Sequence, residues 1–173
     1  GVEAKPPTGA VASTQPGTSS EAATGPQLGM SDVPSSGTSG VARPKMNAAA
    51  AGFYAAGMQA FQAGDLEGAS TQFAKATEAD PNAYQAYYSA GVVRERLGNG
   101  TGALSAYSKA ISIVSDYEPA IVAYAVLTAR AGNPDAAEEY LNGRLAKMER
   151  SAAVTTASGE VKSIRGESGA AQR

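Results

Sequence analysis

The chain has no cysteine, no histidine and no tryptophan. Without Cys and His there can be no disulfide, no thiol nucleophile, no imidazole general base and no mixed nitrogen and sulfur ligand set for zinc. No run of 18 or more apolar residues occurs, so no segment reads as a membrane span. Neither sign of charge dominates: 14 Lys and Arg stand against 16 Asp and Glu, a net of -2 near pH 7. That balance argues against nucleic acid or another polyanion as partner. Glycine-rich phosphate loops, calcium loops and basic stripes interleaved with aromatics are missing as well. The carboxylate pairs that remain, Asp65 with Glu67 and Glu138 with Glu139, fall where first turns of helices are expected, and there the helix dipole favours negative charge without any catalytic role. Asn99-Gly100-Thr101 has the form of a glycosylation sequon, and a turn asparagine explains it. The expectation is a chain that is not an enzyme and holds no cofactor and no metal.

What the chain does have is unevenly spread. Residues 1–46 contain six of the nine prolines and no aromatic residue, whereas all eleven aromatics lie at or after Phe53. A stretch rich in Gly, Pro, Ser and Thr, with Leu28 its only Leu, Ile or aromatic residue, buries too little apolar surface to offset the entropy of ordering. Residues 1–46 are therefore expected to be a disordered tether. It is neutral, with Lys5, Arg43 and Lys45 against Glu3, Glu21 and Asp32. Beginning at Gly1 rather than Met, the chain is also expected to be processed or trimmed, with any signal peptide or lipidated cysteine lying upstream.

The second part, 47–173, is periodic. Gly64, Gly98, Gly132 and Gly166 recur at one constant interval, and Ala69, Ala103, Ala137 and Ala171 follow at the same interval. Gly57, Gly91 and Gly159 form another column, broken by Ala125, while Phe73, Tyr107 and Leu141 place a bulky residue in the second half of each unit. The period is about 34 residues, and such a period marks an array of helix pairs. Small and bulky columns are coupled, because two helices that approach closely need a small residue opposite a large one. Each glycine of the first column can end a helix in the left-handed conformation, and an Asp or Asn after it caps the next helix. Helices are expected near 47–63, 66–79, 82–97, 101–114, 118–131, 135–148 and 152–165.

The first unit, AGFYAAGMQAFQAGDLEGASTQFAKATEADPN, resembles the tetratricopeptide repeat family through Phe53, Gly57, Gly64, Ala69, Phe73, Ala76 and Asp80-Pro81. The second keeps Tyr87, Gly91, Gly98, Ala103, Tyr107 and Ala110, with Ser115 in place of the closing proline. The third keeps Gly132, Ala137 and Leu141 but has Ile121, Ala125 and Arg144 at family positions of other character, and looser packing is expected there. The resemblance implies an all-α, right-handed solenoid of antiparallel helix pairs with repeats near 50–83, 84–117 and 118–151. A partial fourth is expected at 152–173, in which Val154, Ala157, Val161 and Ile164 form an apolar face. Because Gly166 and Ala171 hold the register, a repeat cut short at a turn near Gly166 is favoured over a cap helix.

The same resemblance implies a concave groove lined by the first helix of each pair. Its family positions fall on Tyr54, Met58, Phe61 and Gln62, then on Gln85, Tyr88, Val92, Glu95 and Arg96, and then on Val122, Val126 and Arg130. Tyr54, Tyr88 and Arg96 are the strongest candidates, whereas Met58, Val92 and Val126 serve equally well as packing between helices. Co-chaperones of the family that grip a C-terminal carboxylate carry Lys and Asn at such places, and this chain departs from them. A mostly apolar groove suits an amphipathic helix or an apolar segment of a protein partner. The layout of tether and array is similar to that of bacterial tetratricopeptide lipoproteins, and the stretch SIVSDYEPAIVAYAVLTARAGNPDAAEEYL is similar to those of gliding motility; pilus and secretion-assembly lipoproteins share the layout. These likenesses imply a scaffold in a multi-protein assembly of the cell envelope, periplasmic or tethered to the outer membrane. A soluble cytoplasmic adaptor is the alternative, and stacking of array ends between copies is a further way to assemble.

Overall fold

The computed structural model describes residues 42–145 and 152–170. Seven helices follow one another among them: α1 (Ala48–Gln62), α2 (Leu66–Ala79), α3 (Tyr84–Arg96), α4 (Gly100–Ile113), α5 (Glu118–Arg130), α6 (Pro134–Leu145) and α7 (Ala152–Ala170). No strand occurs among the described residues. The expected tether therefore lies outside them up to residue 41, as do the side chain of Val154, Ala171, and the expected end of the sixth helix beyond residue 145.

The turns form where glycine and a short polar residue meet. Gly64, Gly98 and Gly132 have φ of 80°, 79° and 100°. This is the left-handed conformation that closes α1, α3 and α5. Immediately afterwards the Asp65 carboxylate accepts from the Gly68 amide at 2.8 Å, and Asn99 Oδ1 accepts from the Gly102 amide at 2.9 Å. These bonds satisfy amides that the first turns of α2 and α4 leave open. Asn47 does the same for α1, accepting from the Ala50 amide at 2.8 Å.

Packing inside each pair follows the coupled columns. A Cβ added at Gly57 would stand 2.5 Å from the Phe73 ring, and one at Gly91 2.4 Å from the Tyr107 ring. Only glycine admits an aromatic that close. In the third pair Ala125 and Leu141 stand at the corresponding positions, and both are fully buried together with Ile121. A larger small residue is matched there by a smaller large one, which closes the layer where looser packing was expected. Neighbouring pairs stack in chain order, α2 on α3, α4 on α5 and α6 on α7. One continuous apolar cluster runs from Tyr84 to Val161, and Met58, Ala69, Phe73, Ala90 and Val93 join the first pair to the second.

Two sequence expectations change. Gly166 makes no turn, because α7 runs through it to Ala170. The turn expected there does not form, and α7 packs as a single helix against α5 and α6. Gly159, in the column of Gly57 and Gly91, correspondingly has open space within 4 Å of where a Cβ would stand. At the other end, ordered contacts reach back past the expected boundary at Met46. Arg43 pairs with Asp116 at 3.8 Å, Met46 packs beside Ala76, Ala83 and Ala86, and Asn47 donates from its amide to Asp80 and from Nδ2 to the Ala79 carbonyl.

Candidate protein-binding groove

α1, α3 and α5 are the first helices of the three pairs, and their family positions form a ladder whose rungs repeat with the period of the array: Tyr54, Tyr88 and Val122; Met58, Val92 and Val126; Phe61, Glu95 and Ala129; Gln62, Arg96 and Arg130. Contacts between helices follow the same face. The Arg96 guanidinium of α3 lies 4.5 Å over the Phe61 ring of α1. This is a cation–π contact. Arg130 of α5 pairs with Glu160 of α7 at 2.7 Å.

Burial divides the expected lining in two. Met58, Tyr88, Val92 and Val126 are buried and belong to the packing between helices. Tyr88 was among the strongest candidates for an exposed anchor, and it corrects to a core residue. The Tyr117 ring meets it edge-on at 5.7 Å, and the Tyr107 ring lies 5.8 Å away. Burial, with the Glu95 charge and Tyr54 adding to it, pushes the Tyr88 hydroxyl up to about 12. Tyr54, Phe61, Gln85 and Val122 are half-buried, whereas Arg96 and Arg130 are exposed. These six keep surface on the ladder face.

Two features of the site escaped the sequence. Tyr107, read only as a bulky packing residue, sends its hydroxyl through the pair to donate to Glu95 Oε2 at 2.8 Å. Burial first, and then this bond to Glu95, raises its pKa well above the ordinary tyrosine value, so the proton stays on the phenol. Tyr117, which covers Tyr84 edge-on at 4.9 Å as well as Tyr88, lies in no column of the repeat, so periodicity carried no signal for it. Among the described residues no group of three or more acidic side chains is placed to hold a metal ion, and no helix is long and apolar enough to cross a membrane.

Residues 54–118, from the middle of α1 to the first residue of α5, match the tetratricopeptide repeat family model. No curated protein matches the chain by sequence. Solved structures do match by fold. The TPR2B domain of yeast Sti1, in a complex with pHsp70, is 15% identical with a TM-score of 0.61, over 68% of this chain and 98% of that one. The Yersinia enterocolitica type III secretion chaperone SycD, solved with a peptide of the translocator YopD, is 17% identical with a TM-score of 0.60, over 68% and 93%. The first repeat domain of Spaghetti (RPAP3), bound to an HSP90 peptide, is 16% identical with a TM-score of 0.60, over 68% and 94%. At these identities the likeness is one of fold. With the family model on 54–118, the repeating columns and the stacked helix pairs in agreement, residues 54–118 are tetratricopeptide repeats and the described helices share the fold of tetratricopeptide solenoids.

Proposed function

We propose that this chain is a non-catalytic scaffold that holds an apolar segment of a protein partner along the face of α1, α3 and α5. The observation that carries the proposal is the strip formed by Tyr54, Phe61 and Val122. These side chains stay part-exposed above a layer, Met58, Tyr88, Val92 and Val126, that is packed shut. Single exposed apolar groups are ordinary on a surface, but three on one ladder, rimmed by Gln85, Arg96 and Arg130, make a surface suited to a helix or an extended segment. The complexes of Sti1 with pHsp70 and of SycD with a YopD peptide, on the same fold, support this use.

The place we propose for it is the bacterial cell envelope, periplasmic or tethered to the outer membrane through a lipid anchor upstream of Gly1, in an assembly for gliding motility, a pilus or secretion. This rests on the composition of residues 1–46 and on the lipoprotein resemblance. Photo-crosslinking in the native cell tests both levels. A crosslinking residue at Phe61 or Val122 should capture one partner from the envelope fraction, and one at Ser105 or Ser108, exposed on α4, should not. Capture from the α4 positions alone would move recognition off the groove. Recovery of the native protein only from the cytosol would exclude the envelope.

A further inference from the structure

This inference rests on the groove reading above and names the chemistry of the partner. We propose that the segment held along α1, α3 and α5 carries a Lys or Arg whose charge pairs with Glu95.

Glu95 lies in the last turn of α3, where the negative end of the helix dipole disfavours a carboxylate; Arg94 and Arg96 on either side have the sign that position prefers. The dipole thus works against a carboxylate at this position. The Glu95 carboxylate is nevertheless held in place, since Oε2 accepts the Tyr107 hydroxyl at 2.8 Å and Tyr107 is itself fully buried over Gly91. The core thus orients the group.

The cations nearby are otherwise engaged. Arg94 donates to the Gly102 carbonyl at 3.2 Å, Arg96 lies over the Phe61 ring, and Arg130, the next cation along the ladder, is paired with Glu160. No ion pair to Glu95 forms among the described residues. What remains on the face is an oriented, half-buried carboxylate on the same ladder as Phe61 and Tyr54. Partial burial strengthens its attraction for an opposite charge. An acidic side chain brought to Glu95 itself would meet repulsion.

The test uses the full chain and a positional-scanning library of synthetic amphipathic peptides, with one apolar face kept constant and Lys, Glu or norleucine at each other position. The bound set should favour Lys over Glu at one or two adjacent positions, by about tenfold in Kd at low salt, and the preference should shrink as salt is added. Glu95→Gln keeps an acceptor for the Tyr107 hydroxyl and should leave the melting temperature nearly unchanged, while reducing the preference to about twofold or less. Equal binding of Lys and Glu peptides, or a preference that survives Glu95→Gln, overturns the inference and leaves the groove standing. If no peptide binds, or if Val122→Asp does not weaken binding, the groove itself is lost and this inference with it.

Discussion

Gly91 and Gly159 occupy one column of the repeat, yet the structure gives them opposite environments. A methyl group at Gly91 would stand 2.4 Å from the Tyr107 ring, which is fully buried and tied to Glu95 and so cannot swing away. Gly91→Ala should cost on the order of 1 to 3 kcal/mol, the usual penalty for overpacking. At Gly159 the same methyl group meets nothing. Gly159→Ala should therefore stabilise α7 by roughly 0.5 to 1 kcal/mol through helix propensity. Thermal melts of the two variants check both signs, and shifts of the same sign would refute the pairing of columns. The tyrosines add a dependence on pH. Because the Tyr88 hydroxyl ionises at about 12 in the fold, against an ordinary value of 10.0, the fold holds its proton more tightly than the unfolded chain does. Its contribution is complete below about pH 10 and is lost as pH rises to about 12, by on the order of 2 kcal/mol. Denaturant titrations across that window should fall more steeply for the parent than for Tyr88→Phe. A residue-scale reading of the sequence reached the Gly57–Phe73 and Gly91–Tyr107 couples, since each follows from volume alone. The Tyr107 bond to Glu95 was out of reach, because nothing in a sequence tells where a phenol oxygen ends up.

At the scale of the element, α7 is where periodicity misled. Gly166 keeps the column of Gly64 and Gly98, but those glycines are followed by Asp65 and Asn99, whose side chains cap the next helix, and Gly166 is followed by Glu167. Glutamate is too long to serve well as an N-cap and is a good helix former, so the chain stays helical through the glycine. The signal was therefore present, in the residue after the glycine. α7 is held by two kinds of contact. Ala157 and Val161 are buried against the array, while Arg130 with Glu160, and Arg165 with Asp135 and Glu138, form ion pairs around them. Arg165 and Asp135 keep much of their surface in water, where such pairs contribute little. Val161→Ala should thus cost on the order of 1 to 3 kcal/mol and Arg165→Ala about 1 kcal/mol or less. Urea titrations followed by circular dichroism compare them; a larger loss from Arg165→Ala would mean that charge and not burial docks the helix.

For the whole molecule, the ladder on α1, α3 and α5 was legible from the constant spacing of the repeat, but the depth of each rung was not. Tyr54 and Tyr88 hold the same position in successive units, and only Tyr88 is closed over, because Tyr117 arrives from the α4–α5 junction and no residue of the repeat pattern predicts it. Depth depends on neighbours along the array, and so should stability. In a solenoid each pair is supported by the pairs beside it, so the first pair, with one neighbouring pair among the described residues, differs from the second, with two. Gly57 and Gly91 allow the comparison to be made with one chemistry, since an added methyl group at either meets an aromatic ring at nearly the same distance, 2.5 and 2.4 Å. Gly57→Ala should loosen α1 and α2 locally, so that their amides exchange with solvent much faster while those of α3 to α6 keep their protection. Gly91→Ala strikes the pair through which Met58 and Phe73 on one side and Ile121 and Leu141 on the other are joined, by way of Ala90, Val93 and Tyr107. It should lower protection across the whole array together. Hydrogen exchange measured by mass spectrometry on peptides from each helix separates the two patterns. If Gly57→Ala lowers protection uniformly from α1 to α6, the array unfolds as one unit, and support along it is not limited to neighbouring pairs.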